Sequence, residues 1–225
     1  MDNKINDMRH FVLSKNISSN TFDEYQKYNF KGMYLNPSVI EERQMNVTSL
    51  DVFSRLLMDR QIFLGTEINS DVANIITAQL LWLEQQSNAD IQLLINSPGG
   101  NVSDGLQIID CMNLIKPDVS TTVVGTSASM GAVISSSGVK GKRYILPHAR
   151  FMIHQVLGNS SGQCADIQIQ AEQMKILQKE LYTILSNNSG ISFENIEKMA
   201  DRDRWFTSQE AVDSHFADSI ITKKQ

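Results

Sequence analysis

Short apolar runs alternate with longer segments of helical periodicity through the middle of the chain. The runs at about residues 61–64, 91–95 and 120–124 have the length and composition of strands. Between them, apolar residues recur every three or four positions over about residues 71–86 and 102–115, which predicts two helices. This order repeats βαβ units, so we predict an α/β fold with right-handed crossovers and a largely parallel sheet.

The same pattern predicts the elements on either side of these units. The strand at residues 91–95 is apolar except at Gln92, which predicts burial on both faces of the sheet. A short helix is predicted over about residues 50–58, and Thr207 with Glu210 matches a capping box at the start of a late helix. The remaining elements are predicted as a small-residue helix, two strands, a long helix, two short helices and a last strand, at about residues 130–137, 143–146, 151–155, 165–186, 193–199, 208–214 and 219–222.

The first part of the chain has a different character. Residues 1–36 are polar with scattered aromatic side chains and no clear period, and Asn36-Pro37 is a turn signal. We therefore predict two parts: an N-terminal extension over residues 1–36 and a single domain over residues 37–225. The extension is interpreted as a propeptide.

Composition restricts the classes of partner. Hydrophobic residues make up 41% of the 225 residues, enough for a substantial core, and the net charge is −5 without a long basic run, which argues against nucleic-acid binding. The two cysteines lack metal-site spacing and form no disulfide framework. No apolar run approaches the roughly 18 residues of a membrane span, and the N-terminus lacks a secretory signal. We expect a cytoplasmic protein that binds neither metal nor membrane.

The segment from Gly125 to Gly131 is the strongest candidate for a catalytic site. It joins a predicted strand to a predicted helix and contains Ser129 among small residues. A tight strand-to-helix turn projects a serine Oγ from the backbone, and neighbouring N–H groups can stabilise an oxyanion. Gly99 and Gly100 follow the preceding strand, so both segments lie at carboxyl ends of parallel strands, where ligands bind. A Ser/Gly-rich turn without catalytic function is the alternative.

A serine nucleophile needs a general base, and the chain offers four histidines. His154 is the best placed of them because it ends a predicted strand and can project into a cleft at the sheet edge. His10 lies in the polar extension, His148 in a turn after a proline, and His215 at a helix end. A structural, hydrogen-bonded role for His154 is the alternative at this point.

The third member of a triad and the identity of the base stay open on spacing alone. Asp201 and Asp203 are both predicted loop residues, and surface salt bridges with neighbouring arginines are the alternative for each. A serine–lysine dyad would use Lys140 or Lys142. The run that contains these lysines is more typical of a solvated turn before a strand.

A set of short motifs, in order along the chain, resembles the ClpP family, the proteolytic subunits of the ATP-dependent Clp protease. The resemblance extends from about residue 37 to residue 222, almost without gaps. The motifs that carry it are Ile95-Asn96-Ser97-Pro98-Gly99-Gly100, Lys116-Pro117-Asp118-Val119, Ser127-Ala128-Ser129-Met130-Gly131, Lys140-Gly141-Lys142-Arg143, Met152-Ile153-His154-Gln155 and Asp201-Arg202-Asp203.

The resemblance implies a role for each site residue. It makes Ser129 the nucleophile, His154 the base and Asp203 the acid that orients the base. It also implies that the backbone N–H groups of Gly100 and Met130 form the oxyanion hole. A Gly-rich loop and a helix start that face one cleft agree with that assignment.

The resemblance also implies a fold and an assembly. The family fold is a crotonase-like α/β spiral with a protruding strand–helix handle, here residues 155–163 and the long helix that follows. Members of the family stack two seven-membered rings into a hollow barrel with the active sites inside. An AAA+ unfoldase of the ClpX or the ClpA/ClpC type docks on the barrel and feeds it unfolded polypeptide. The subunit itself needs no cofactor, since ATP is used by the unfoldase.

Several positions depart from the family pattern, and none of them belongs to the triad. Val156 and Asn159 replace common residues of the handle, and His215 replaces a glycine at a helix end. Gln92 and Leu94 replace two tyrosines of the surface on which the unfoldase docks. The apolar residues that remain at that surface are Leu81, Trp82, Leu114 and Tyr144.

Two other functions share parts of this pattern. A non-proteolytic ring subunit would shape a mixed barrel, but the presence of Ser129, His154 and Asp203 argues against it. A crotonase-type acyl-CoA enzyme could use the Pro-Gly-Gly turn as an oxyanion loop, but the serine with its in-order histidine and aspartate would then be unexplained. The expected function is therefore that of a serine endopeptidase.

Overall fold

The computed structural model describes residues 38–43 and 46–222, with side chains from Asp51 onwards. The predicted extension, its boundary at Asn36-Pro37 and His10 lie outside the described residues. Within that part of the chain the strands are β1 Ser38–Arg43, β2 Asn46–Asp51, β3 Gln61–Leu64, β4 Ile91–Ser97, β5 Val119–Ala128, β6 Arg143–Ile145, β7 Arg150–Ile153, β8 Arg204–Phe206 and β9 Ser219–Ile220. The helices are α1 Val52–Met58, α2 Ser70–Gln86, α3 Val102–Leu114, α4 Met130–Ser136, α5 Cys164–Ser189, α6 Phe193–Met199 and α7 Ser208–Asp213.

The first described unit, which ends at Arg55, contains an antiparallel hairpin that the pattern did not predict. Strand β1 pairs with β2 from Ser38 opposite Asp51 to Arg43 opposite Asn46. The predicted start of α1 at residue 50 was wrong by two residues, because Asp51 is a capping residue. Its carboxylate accepts a hydrogen bond from the N–H of Ser54 at 3.0 Å, which fixes the first turn of the helix after it.

The second unit, from Leu56 onwards, is built on a mostly parallel sheet of the order β3-β4-β5-β6-β9. Strand β7 pairs with β5 in parallel, and β8 adds to β7 in the antiparallel sense. Helices α2 and α3 connect β3 to β4 and β4 to β5, as βαβ units require. The predicted α/β fold is therefore confirmed.

Strand β4 is buried on one face only, so the prediction of burial on both faces was wrong. Ile91, Leu93 and Ile95 are buried, whereas Gln92 and Leu94 between them are half-buried. Period-2 burial of this kind marks a sheet with one covered face. A run of apolar residues does not distinguish this case from a strand that is covered on both sides.

Strand β5 is longer than predicted and irregular near its end. Ile95 pairs with Val123 and Ser97 with Ser127, so extra residues bulge from β5 between these pairs. The side-chain oxygen of Asn96 accepts a hydrogen bond from Thr126 N–H at 2.9 Å and so gives the bulge a partner. Bulges redirect a strand next to functional sites. Here the bulge lies between Val123 and Ser127, a few residues before Ser129.

Helix α5 belongs to the core at one end only. Its buried residues are confined to the last turns and include Leu181, Tyr182 and Leu185, whereas residues 164–170 are exposed on all sides. The first turns therefore extend beyond the core, as a handle does. Residues 155–163 form a loop, as predicted for this part of the handle.

The predicted capping box at the start of α7 is confirmed, since Thr207 accepts from Glu210 N–H and the Glu210 carboxylate accepts from Thr207 N–H. The other end of α7 is closed by a Schellman motif. The N–H of His215 donates to Val212 at 2.9 Å, and that of Phe216 donates to Ala211 at 2.9 Å. His215 occupies the left-handed position of this motif, with a φ of 58°. Its imidazole is exposed.

Replacement of His215 by glycine should stabilise the fold, because glycine adopts the left-handed conformation without strain. We expect His215→Gly to raise the free energy of unfolding by about 1 kcal/mol, as measured by urea denaturation. His215→Ala is the matched control, since it removes the imidazole and keeps the Cβ, and it should bring no gain. Equal gains in the two variants would assign the effect to the side chain and contradict this prediction.

Candidate active site

The antiparallel pairing of β7 with β8 aligns a histidine with an aspartate. Phe151 pairs with Phe206 and Ile153 with Arg204, so the next pair in the same register is His154 with Asp203. An aromatic contact supports this pair of strands: the ring of Phe151 lies edge-on to that of Phe206, with centroids 5.9 Å apart. Nδ1 of His154 lies 3.4 Å from Oδ1 of Asp203.

The parallel pairing of β5 with β7 adds the serine. Ala128 pairs with Met152, and the N–H of Ser129 donates to the Met152 carbonyl at 2.9 Å. Ser129 has a φ of 54°, a strained conformation that turns its side chain out of the strand at the junction with α4. Its Oγ lies 2.7 Å from Nε2 of His154, within hydrogen-bond distance. The structure thus brings Ser129, His154 and Asp203 together.

The register distinguishes the two candidate aspartates. Asp203 faces the histidine, whereas the carboxylate of Asp201 lies 4.0 Å from Nε of Arg202. The His154–Asp203 distance is longer than the roughly 2.7–2.9 Å of a charge-assisted hydrogen bond, and the Asp203 side chain is 66% exposed against 15% for His154. Contacts of this kind often shorten when substrate binds.

The turn that follows β4 contains Gly99 and Gly100 and packs against the segment of Ser129. The Ile68 N–H donates to the Gly99 carbonyl at 2.8 Å, and the Asn101 N–H donates to the Ile68 carbonyl at 2.9 Å. Gly100 has a φ of 150°, and a Cβ at that position would collide with the backbone of Ile68. A Cβ on Gly99 would lie 2.6 Å from that of Ser129, so only glycine allows the two segments to approach this closely.

Two backbone N–H groups are available at the junction of these segments. Within residues 38–43 and 46–222, no acceptor contacts the N–H of Gly100 or of Met130. The Gly99 carbonyl and the Gly100 N–H belong to one trans peptide and point in opposite directions. Since the carbonyl points to Ile68, the N–H points away from it, and Gly100 and Met130 line the same cavity as Ser129.

An apolar cavity opens beside Ser129 and His154. The burial of Tyr182, together with the nearby carboxylates of Glu197 and Asp201, raises the pKa of its phenol to about 12, so the cavity wall carries no phenolate at neutral pH. Apart from the catalytic segments, the side chains that line the cavity are Val102, Val133, Ile153, Gln155, Val156, Leu157, Leu181, Tyr182 and Leu185.

The structure does not support a serine–lysine dyad. Lys142 donates hydrogen bonds to Asp118 and Asp90, which raise the pKa of its ammonium group above the usual value. Asp118 directly precedes β5, whereas Ser129 directly follows it, so Lys142 and the serine lie at opposite ends of this strand. Lys140 is exposed. His148 and His215 are exposed as well.

Sequence reasoning missed three polar residues that hold the site segments in place. Gln155 donates from Nε2 to the carbonyl of Asp201 at 3.0 Å, which ties the loop before β8 to the end of β7. Asn96 supports the bulge before Ser129, and Ser97 contacts the Gly99 N–H at 3.2 Å. The available signal was the occurrence of polar residues where an apolar strand ends.

The described part of the chain contains no cluster of three or more His, Cys, Asp or Glu side chains that could hold a metal ion. In the same residues, no helix has both the length and the apolar character of a membrane span.

Comparison with known proteins agrees with this geometry. Residues 43–224 match the family model described as Clp protease. The chain belongs to the Clp protease family. A protein of Bacteroides fragilis is 52% identical over 192 residues, which cover 85% of this chain and 93% of the relative. The resemblance inferred from the motifs and the prediction of a protease are thereby confirmed, and the acyl-CoA enzyme is set aside.

Two further relatives cover most of both chains. A Porphyromonas gingivalis protein is 46% identical over 210 residues, or 93% of this chain and 94% of the relative. A Streptococcus agalactiae protein is 48% identical over 188 residues, or 82% and 96%. All three are named ATP-dependent Clp protease proteolytic subunit.

Proposed function

We propose that this Clp protease family member is the proteolytic subunit of an ATP-dependent Clp protease and hydrolyses unfolded polypeptides with Ser129, His154 and Asp203. The observation that carries this proposal is the 2.7 Å contact between Ser129 Oγ and His154 Nε2, with Asp203 opposite the far side of the imidazole. A proton on Nδ1, facing Asp203, leaves Nε2 free to accept the serine proton.

The reaction divides into acylation and deacylation. Ser129 Oγ attacks the scissile carbonyl carbon and transfers its proton to His154, and the resulting oxyanion accepts hydrogen bonds from the N–H groups of Gly100 and Met130. The C–N bond breaks as His154 returns the proton to the leaving amine. Water then attacks the acyl group by the same sequence and restores the Ser129 hydroxyl. No cofactor enters any step.

The cavity beside Ser129 is suited to an apolar side chain next to the scissile bond. Its wall combines aliphatic residues with the neutral ring of Tyr182, and a charged side chain would lose its hydration there. Peptides with leucine before the scissile bond should therefore be cleaved with a kcat/KM about tenfold or more above that of matched peptides with aspartate, in a fluorogenic assay. Equal rates would contradict the assigned binding mode, and no hydrolysis of either peptide would contradict the proposed function.

Exposed apolar side chains support an assembly with an AAA+ unfoldase. Leu81 and Trp82 on α2 are 40% and 46% exposed, and Leu114 at the end of α3 is 76% exposed. Exposed large apolar residues at this density are typical of protein interfaces. We propose docking of a ClpX-type or a ClpA/ClpC-type ATPase on this surface, in the cytoplasm, so that folded proteins are degraded only with the partner and ATP while short peptides need neither.

The exposed part of α5 supports stacking of rings. Ile167, Ile169 and Ile176 are exposed on the part of α5 that extends beyond the core. Leu157, in the loop before α5, is exposed as well. Burial of these side chains against a second ring would give the two stacked heptamers of the proposed homo-oligomer. The extension over residues 1–36 is proposed to be removed by the assembled enzyme itself.

A further inference from the structure

We propose that Ser97 is a positioning residue for the oxyanion hole, acting through the N–H of Gly99, the residue whose carbonyl begins the peptide that carries the Gly100 N–H. The inference rests on the proposed function and concerns a side chain outside the triad, whose hydrogen bond is to the backbone of the glycine turn. Ser97 is the last residue of β4 and is completely buried, with a relative exposure of 0%. Its Oγ accepts a hydrogen bond from the Gly99 N–H at 3.2 Å.

The turn needs an anchor because its backbone is unusually free. Gly99 and Gly100 have φ angles of 98° and 150°, and two adjacent glycines can rotate the peptide between them at little steric cost. Rotation of that peptide would place its carbonyl oxygen at the oxyanion position, where its N–H now points. A carbonyl there would repel the developing negative charge instead of stabilising it.

Two contacts hold the turn in the productive orientation, one on each side of Gly99. The Ile68 N–H binds the Gly99 carbonyl at 2.8 Å, which fixes the far side of the peptide plane. The Ser97 hydroxyl accepts from the N–H of Gly99, which belongs to the preceding Pro98–Gly99 peptide, and so fixes the position from which the Gly99–Gly100 peptide starts. Ile68 acts through its backbone, whereas Ser97 acts through a side chain that a substitution can remove.

Ser97 also lies close to the start of α4. A Cβ added to Gly131 would lie 3.1 Å from the Ser97 carbonyl oxygen and 3.4 Å from the Ser97 Cβ. The residue thus lies between the turn that carries the Gly100 N–H and the helix that carries the Met130 N–H. This location suits a residue that sets the spacing of the two donors.

Ser97→Ala should reduce turnover without a comparable loss of substrate binding. Loss of the hydroxyl leaves the Gly99 N–H buried without its acceptor, and a small displacement of one oxyanion donor costs up to 10²-fold in rate. We expect kcat for a fluorogenic peptide to fall about tenfold while KM changes less than about twofold. The inhibition constant of a peptide boronate, which forms a tetrahedral adduct with Ser129, should rise by the same factor as kcat falls.

Ser208→Ala is the matched control, because Ser208 is a buried serine remote from the turn. Its Oγ lies 2.6, 3.1 and 3.2 Å from the carbonyl oxygens of Leu146, Pro147 and Ala149, so the variant loses a buried, hydrogen-bonded hydroxyl and should keep the kcat of the wild type. Ser97→Thr retains the hydroxyl and should recover most of the turnover lost in Ser97→Ala. If Ser97→Ala does not assemble, kcat is measured in Ser97→Cys instead, because the thiol is only a weak hydrogen-bond acceptor.

The outcomes separate this inference from the proposed function. A kcat of Ser97→Ala within twofold of the wild type, or an equal loss in Ser208→Ala, overturns the role of Ser97. An increase in KM that accounts for the whole loss of kcat/KM also overturns it, since the residue would then act in substrate binding. Activity that persists in Ser129→Ala would instead overturn the proposed function.

Discussion

Ser129→Ala should lower kcat for peptide hydrolysis by a factor on the order of 10⁴ or more, the largest effect expected of any single substitution in this chain. The variant removes the hydroxyl oxygen that lies 2.7 Å from His154 Nε2 and is placed to attack a carbonyl. His154→Ala should cause a loss of similar size. The rates are compared with fluorogenic peptides under saturating conditions.

The double variant gives a sharper result than either single one. If Ser129 and His154 act as one unit, their losses are far from additive, and the double variant should be no slower than Ser129→Ala alone. His148→Ala is the control, since His148 is exposed in a turn and should leave kcat unchanged. Additive losses would contradict the proposed pairing. Intact mass of Ser129→Ala should also show the full-length chain, because self-removal of the extension needs the same serine.

Asp218→Asn should destabilise the fold by about 3 kcal/mol, the second largest effect. Arg143 is 2% exposed, and its guanidinium binds both Asp218 oxygens, at 2.6 and 3.0 Å, as well as the Asn188 carbonyl at 2.9 Å. Removal of the carboxylate charge leaves this buried cation without its counter-ion. The free energy of unfolding is measured by urea denaturation at pH 7.

The same pair predicts a pH dependence with a definite sign. Burial raises the pKa of Asp218, but its hydrogen bonds to Arg143, the charge of Arg143 and the N–H of Gly141 outweigh this effect and lower the pKa below the usual value. The stabilisation is therefore complete above about pH 4, the ordinary range of an aspartate, and is lost as the pH falls through the lower folded-state value. The difference between the wild type and Asp218→Asn should shrink below that range.

Asp118→Asn is the control for the stability experiment. Asp118 pairs with Lys142 at the surface, where water screens the interaction, and its loss should change the free energy of unfolding much less. Equal losses of unfolding free energy in Asp218→Asn and Asp118→Asn would contradict the claim that the buried pair of Arg143 and Asp218 stabilises the fold more than a surface pair.

The parts of the fold that follow from local pattern could be predicted from the sequence. Residues 61–64 form a strand as predicted, and the capping box of Thr207 and Glu210 starts α7 because both interactions lie within one turn. The serine turn at Ser129 was found for the same reason. Small residues between an apolar strand and a helix are a local signal.

The remaining features depend on pairing between distant segments, which no single segment encodes. Spacing left Asp201 and Asp203 equivalent, and only the register of β7 with β8 aligns Asp203 with His154. The hairpin of β1 with β2 was missed because neither strand alternates clearly. The role of Ser97 follows from a contact with Gly99 that becomes meaningful only when Ile68 is seen to hold the other side of the same turn.

Reaction with a fluorophosphonate tests the central claim most directly, because the reagent modifies a serine only when base and oxyanion hole are both functional. The wild-type protein should gain one adduct per chain, located at Ser129 by peptide mass spectrometry, and Ser129→Ala should gain none. Absence of the adduct from an assembled wild-type protein, or an adduct at another serine, would contradict the assignment of Ser129, His154 and Asp203 as the catalytic triad.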